Sequence, residues 1–131
     1  MSQANVELAY RVYEAVNRRD LDALLDLMDG EVEFMSILVG VEGGYRGHAG
    51  VRRWWGSIFE FVPDYAVKVD GVRDLGDVTL ATLRPHGHGS TSGALVEQRL
   101  SQVIHWHNAK AVRLESFRSE AEALKAVGLA E

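Results

Sequence analysis

The chain contains no cysteine, which excludes disulfides, thiol nucleophiles and cysteine-based zinc sites. Only two prolines interrupt its 131 residues, and no tract is repeated or compositionally biased, so one domain over residues 1–131 is expected. Positive charge is scarce too. The 14 Lys and Arg against 19 Asp and Glu leave a net charge of −5, and the pairs Arg18-Arg19 and Arg52-Arg53 are short and diluted by acids. Nucleic acid, which needs clustered cations, is not an expected partner. No apolar run approaches the roughly 20 residues that span a bilayer. No N-terminal basic-then-apolar segment reads as a signal peptide, so a cytoplasmic protein with no membrane partner is expected. What is present, 47% hydrophobic and 25% charged residues, is enough for a buried core.

Residues 4–17 place Val6, Ala9, Tyr10, Tyr13 and Val16 at spacings of three and four, the pattern of an amphipathic helix. Asp20 is positioned to cap a second, short helix with an apolar stripe of Leu21, Leu24, Leu25 and Met28, stopped by Asp29-Gly30. Val32–Ser36 reads as a strand and the glycine-containing Ser36–Tyr45 as a loop. His48–Val62 is a third helix with Val51, Trp54, Trp55, Ile58, Phe59 and Val62 on one broad face, ended by Pro63. Strands follow around Tyr65–Val69 and Val78–His88. After the turn Gly89–Gly93 comes one long strand from about Ala94 to His107, then a tight turn at Asn108–Lys110 and a strand over Ala111–Phe117. Ser119 with Glu122 three residues on is a capping-box signature for a last helix, and Gly128 is its stop.

Three stretches, Asn5–Phe34, Tyr45–Tyr65 and Glu115–Leu129, together with the turn GSTSG and the terminal ALKAVGL, resemble the SnoaL-like family. That resemblance implies the α+β fold of nuclear transport factor 2 and ketosteroid isomerase. A cone-shaped, curved antiparallel sheet wraps around three helices from the N-terminal half, with a short C-terminal helix. It also implies a homodimer through the convex sheet face. The fold carries isomerases, cyclases, dehydratases, hydrolases and non-enzymatic binders, so the resemblance does not choose a reaction.

Within such a cone, alternation along the long strand puts Val96, Gln98, Leu100, Gln102, Ile104 and Trp106 on the concave face. Glu97, Arg99, Ser101, Val103, His105 and His107 are left for the convex face, where Val103 offers an apolar subunit contact. Gln102 then has two readings: bonded to a neighbouring backbone group or tyrosine hydroxyl, or orienting a ligand. Arg84 and His86 share a phase with Leu80 and Thr82, and read either as solvated strand-end groups or as a pocket rim. Tyr10, Tyr13, Phe34, Trp54, Trp55 and Phe59 read either as core or as ligand-facing aromatics.

The pairs His86/His88 and His105/His107 have a metal-ligand spacing. If Gly89 and Gly93 close the hairpin, however, His86 lies opposite Val96 and His105 opposite Asp77, roughly 30 Å apart at strand rise. No metal and no cofactor is expected. His48 reads as a helix cap or a surface residue. Ketosteroid isomerase uses an aspartate base with a tyrosine and a protonated acid as oxyanion donors. Their counterparts fall at Phe34, near Val12 (one step from Tyr13) and at Gln102; Phe34 moves no proton. The His–Asp dyad of the family's dehydratases leaves only His86, without an inward acid. The Asp–Arg–Asp set of its epoxide hydrolases leaves Arg84 without two acidic partners. A cyclase's interior acid is missing.

Two functions therefore stand. One is binding of a small, largely apolar, flat or polycyclic molecule by Tyr13, Phe34, Trp55, Phe59, Gln102 and Ile104, with Arg84 and His86 at the rim. The other is a cofactor-independent lyase, isomerase or cyclase with His86 as general base and Tyr13 and Gln102 as oxyanion donors. A third option is an assembly module acting through the convex face.

Overall fold

The computed structural model describes residues 2–36 and 44–128. Most of the loop expected over Ser36–Tyr45, and Leu129 of the terminal stretch, lie outside the described residues. Helix α1 (Ser2–Asn17) buries Ala9, Val12, Tyr13, Ala15 and Val16, whereas Tyr10 stays 46% exposed despite its helical spacing. Asp20 caps α2 (Leu21–Asp26), its carboxylate accepting the Ala23 amide at 3.0 Å. That helix stops earlier than its apolar stripe suggests. The Leu27 carbonyl accepts the Ala111 amide and draws the chain into the sheet, so Met28 already opens strand β1 (Met28–Met35). Asp29 and Gly30 lie within this strand, where its pairing is irregular.

Strand β2 (Tyr45–Arg46) leads into α3 (Gly47–Phe61), which buries Val51, Trp54 and Ile58 on one stripe and ends two residues before Pro63. His48 neither caps this helix nor stands free: its Nε2 donates to the Met28 carbonyl at 2.9 Å and holds α3 on β1. Five further strands complete the sheet: β3 (Ala66–Asp74), β4 (Val78–His88), β5 (Leu95–Glu97), β6 (Leu100–His107) and β7 (Lys110–Phe117). Their order is β2-β1-β7-β6-β4-β3, with β5 paired to the end of β4. Every pairing is antiparallel except β1 with β7, which is parallel.

The inner face of the sheet carries α1 and α3 over the main core. Helix α4 (Glu120–Ala126), capped by Ser119 Oγ accepting the Glu122 amide at 3.1 Å, covers part of the outer face. There Leu80, Val103 and Ala123 are buried, with Leu124, Val127 and Phe117 packed on them. Val103 is thus covered by the chain's own last helix rather than offered to another subunit, and Ser101 beside it is buried as well.

The expected single strand from Ala94 to His107 is broken at Gln98-Arg99, which separate β5 from β6. Gln98 lies against Pro85 and donates its amide to the Pro85 carbonyl at 3.2 Å, but proline has no N–H to return the bond. The ladder is also one residue out of the expected register. Gly89 donates its amide to the Ala94 carbonyl at 2.9 Å while its own carbonyl accepts the amide of Gly93, which adopts φ +70°, so Gly89 is set opposite Ala94, His86 faces Glu97 and His105 faces Val78.

The edge strand β3 is held from α1 and the turn after it. Asn17 exchanges two hydrogen bonds with the Val67 backbone, each 2.8 Å, and Arg19 donates to the carbonyls of Tyr65 and Pro63. Pairing an edge strand's free backbone groups in this way blocks edge-to-edge association and sets the height of α1 above the sheet.

The hairpin between β6 and β7 generates the first prediction. Asn108 (φ 51°) and Ala109 (φ 64°) form a two-residue turn between the paired His107 and Lys110, and alanine is strained in this left-handed region. Ala109→Gly should stabilise the protein by about 1 kcal/mol, read as a higher urea midpoint with an unchanged m value.

Candidate functional site

Helices α1 and α3 and the inner face of the sheet enclose a chamber of about 60 Å³. Its walls are chiefly aliphatic and aromatic, and Val12, Val51, Leu83, Leu100 and Leu114 show its make-up: each helix and strand contributes the side chains of its inward phase. Among the described lining residues there is no Asp, Glu, His, Lys or Arg. The polar groups are neutral. Gln102 on β6 pairs across the ladder with Ser116 on β7, and both line the chamber with Ser36 just beyond β1.

Tyr13 Oη donates to Gln102 Oε1 at 2.7 Å, a buried bond between residues 89 apart in sequence. Burial first, and the neighbouring Tyr65 phenol second, push the Tyr13 hydroxyl well above the usual phenol range; burial does the same to Tyr65. Both stay neutral, and Tyr13 is a donor that does not act as a base. Trp54 reaches the chamber from α3, with its indole set edge-on to Phe34 (5.1 Å between centroids) and to Tyr65 (6.2 Å). Its Nε1–H is buried, with no hydrogen-bond partner among the described residues. An unmade buried bond of this kind costs about 1–3 kcal/mol.

Of the residues singled out from sequence, Tyr13, Phe34 and Gln102 meet at the chamber. Ile104 lies one inward step further along β6 and packs in the core away from it. Trp55 and Phe59 meet at a tilt, 4.8 Å between centroids and 60° between planes, on the flank of α3, where the Arg19 guanidinium sits 4.0 Å over the Phe59 ring. Trp54 takes the place expected for Trp55. The narrow stripe Val51–Trp54–Ile58–Val62, at helical spacings of three and four, was the signal for this, and the broad face obscured it.

The inward phase of β4 belongs to Leu83 and Pro85, so Arg84 is turned outward. There it donates to both Asp70 carboxylate oxygens, at 3.0 and 2.9 Å, and holds that carboxyl below its ordinary range. His86 borders a separate, more open cavity of about 440 Å³ formed with Phe61, Val96 and the turn at Gly89–Ser92. Its Nδ1 donates to the Arg84 carbonyl at 3.2 Å. Tyr65 and Pro85 border both spaces. Gly87 is required at this wall, because a Cβ there would lie 2.2 Å from Val62 Cγ1 and 2.8 Å from Asp64 Oδ1. His88 bonds Asp64 through Nδ1 and through its amide, each at 2.7 Å, which lowers the Asp64 pKa.

A model of the SnoaL-like domain matches residues 9–114, and the chain belongs to that family. No curated protein matches the sequence. Among solved structures, it is similar to an uncharacterised cystatin-fold protein from Novosphingobium aromaticivorans, with 22% identity, 90% of this chain and 99% of that one covered, and a TM-score of 0.75. TerC, co-crystallised with polyporic acid, is 18% identical over 93% of this chain and 96% of its own, with a TM-score of 0.77. A putative SnoaL-like polyketide cyclase from Jannaschia is 16% identical over 99% and 94%, with a TM-score of 0.78. Likeness at these identities establishes the shared fold. No helix among the described residues is long and apolar enough to cross a membrane.

The Tyr13–Gln102 bond has a thermal and a pH signature. Tyr13→Phe strands the Gln102 carbonyl and should cost about 1–3 kcal/mol in chemical denaturation at pH 7. The folded-state pKa values of Tyr13 and Tyr65 lie above the unfolded value of about 10, so their neutral forms contribute stability below that pH and lose it as pH rises further. The melting temperature should fall above about pH 10, and less steeply in Tyr13→Phe than in the native chain.

Proposed function

We propose that this protein binds a small, neutral, largely apolar molecule in the chamber between α1, α3 and the inner face of the sheet. The observation that carries this reading is the wall itself: it is apolar, and its polar side chains are uncharged at neutral pH. A charged ligand would meet no counter-ion among the described lining residues and would lose its hydration. Among the described lining residues proton abstraction finds no base: the phenols are held protonated, and His86 stands at the outer cavity beyond Tyr65 and Pro85. Binding is therefore favoured over the lyase, isomerase or cyclase reading. TerC, which shares this fold, was co-crystallised with a small molecule, polyporic acid, in keeping with this reading.

The volume sets the size of the occupant. A cavity of roughly 150 Å³ takes benzene, whereas this chamber offers about 60 Å³. Neither the flat polycyclic ligand suggested by the aromatic content nor a single ring fits while Tyr65 and Pro85 keep their places, so a compact one-ring molecule enters only as those side chains give way towards the outer cavity they also border.

Titration with methylenecyclopentane, followed by methyl NMR, should give saturable shifts at Val12, Val51, Leu83, Leu100 and Leu114. Ser116→Leu, which fills the chamber from β7, should weaken that binding at least about tenfold, on the scale of a blocked site. Shifts confined to Val96 and its surroundings would move the site to the outer cavity and sink this proposal.

A further inference from the structure

The outer cavity is the larger of the two spaces that Tyr65 and Pro85 border, about 440 Å³ against about 60 Å³. A cavity of roughly 150 Å³ takes benzene, so of these two the outer one has room for fused rings with every side chain in place. Its floor is apolar and fixed. Val62, Tyr65 and Pro85 are buried, and Gly87 lets the Val62–Tyr65 turn lie against β4. Its rim is apolar too. Of the four large hydrophobic side chains exposed among the described residues, Phe61 (59%) and Val96 (39%) line this cavity, and Leu95 adjoins Val96 in sequence. Exposed apolar surface gathered at a concavity, rather than scattered singly, marks a place of binding.

The remaining wall is polar, and it is braced. The turn at Gly89–Ser92 brings Ser90, Thr91 and Ser92 to the cavity, and these exposed hydroxyls can donate or accept. The Ser90 amide donates to the Phe61 carbonyl at 2.8 Å and ties the turn to the end of α3. The Gly93 amide donates to the Gly89 carbonyl at 2.8 Å, and Ser92 Oγ accepts the Ala94 amide at 3.1 Å. A wall held by such bonds loses little freedom when a ligand arrives. No Asp, Glu, Lys or Arg stands among the described lining residues, so a charged ligand finds no strong counter-ion.

We infer that the outer cavity is a second binding site, for a neutral, flat molecule of two fused rings with a hydroxyl on one edge. The rings lie against Phe61 and Val96 over the Val62–Tyr65 floor, and the hydroxyl bonds the Ser90–Ser92 turn. Three exposed apolar side chains beside a polar turn are too small a patch for a stable subunit interface, which buries about 800 Å² on each partner. A small molecule fits this concavity better than a second copy of the chain. The site stands apart from the inner chamber and does not depend on that chamber's taking a ligand.

The test titrates 2-naphthol and 2-methylnaphthalene, which have the same shape and differ in the hydroxyl, into the native protein with amide and methyl NMR. The expected result is saturable shifts at the Ser90, Thr91 and Ser92 amides and the Val96 methyls, with none at Val12, Leu100 and Leu114. The naphthol should bind about threefold to tenfold more tightly, the ratio one net hydrogen bond supplies. Phe61→Ser, at an exposed position, should weaken both probes at least about tenfold. Ser90→Ala, Thr91→Val and Ser92→Ala together should remove the preference for the naphthol; a turn that was merely loosened would weaken both probes alike. Absence of saturable shifts at Val96 and the turn overturns the inference, and so does equal affinity of the two probes for the native chain. Shifts at Leu100 and Leu114 in place of Val96 put the rings in the inner chamber and overturn it as well. So does a concentration-dependent dimer of the native chain that Phe61→Ser abolishes, because a second copy then fills the cavity. Methylenecyclopentane reports on the inner chamber alone, so the two sites fail separately.

Discussion

The hydrogen bond from Tyr13 to Gln102 crosses the interior from α1 to β6 and fixes the character of everything around it. A polar amide in the middle of an apolar strand face is costly unless it is paired. The pairing comes from a helix 89 residues earlier, so helix and sheet must close together for either group to be satisfied. The same bond orients the amide by committing its carbonyl to Tyr13. Burial keeps the phenol protonated, so the partnership stays neutral through the physiological range.

The shape of the chamber depends on contacts well outside it. Asn17 and Arg19 tie the end of α1 and the following turn to the β3 edge, which holds Tyr13 at bonding distance from the sheet. Gly87 admits the Val62–Tyr65 turn against β4, and that turn places the Tyr65 ring between the inner chamber and the outer cavity. Arg84 and Asp70 neutralise each other on the opposite side of the sheet and leave the inward phase to Leu83 and Pro85. Charge is thus kept on one side of β4 and apolar surface on the other, a separation that alternation along a strand makes possible.

Much of the architecture was legible because its signals are local. The Asp20 and Ser119 caps, the stop before Pro63, the bounds of β4 and the turn at Asn108-Ala109 each follow from a few neighbouring residues. What was misread depends on pairing at a distance. Met28 looked helical until the Leu27 carbonyl met Ala111 across the sheet. A single residue in the left-handed conformation, Gly93, shifted the hairpin register by one, and Pro85 split the partner strand. Arg84 and His86 were placed by phase on a strand whose inward set proved to be the other one.

For this protein the sequence by itself determined most of the elements, the family and the aromatic-rich make-up of the interior. Helical period, caps and alternation are properties of short segments and need no partner to be read. Only the tertiary structure decided which face of each element turned inward, that Trp54 rather than Trp55 reaches the chamber, and that Tyr13 takes the Gln102 carbonyl. It also decided that α4 covers Val103. Each of these outcomes depends on register and on close approach between segments far apart in the chain, where a one-residue step reverses the direction of a side chain.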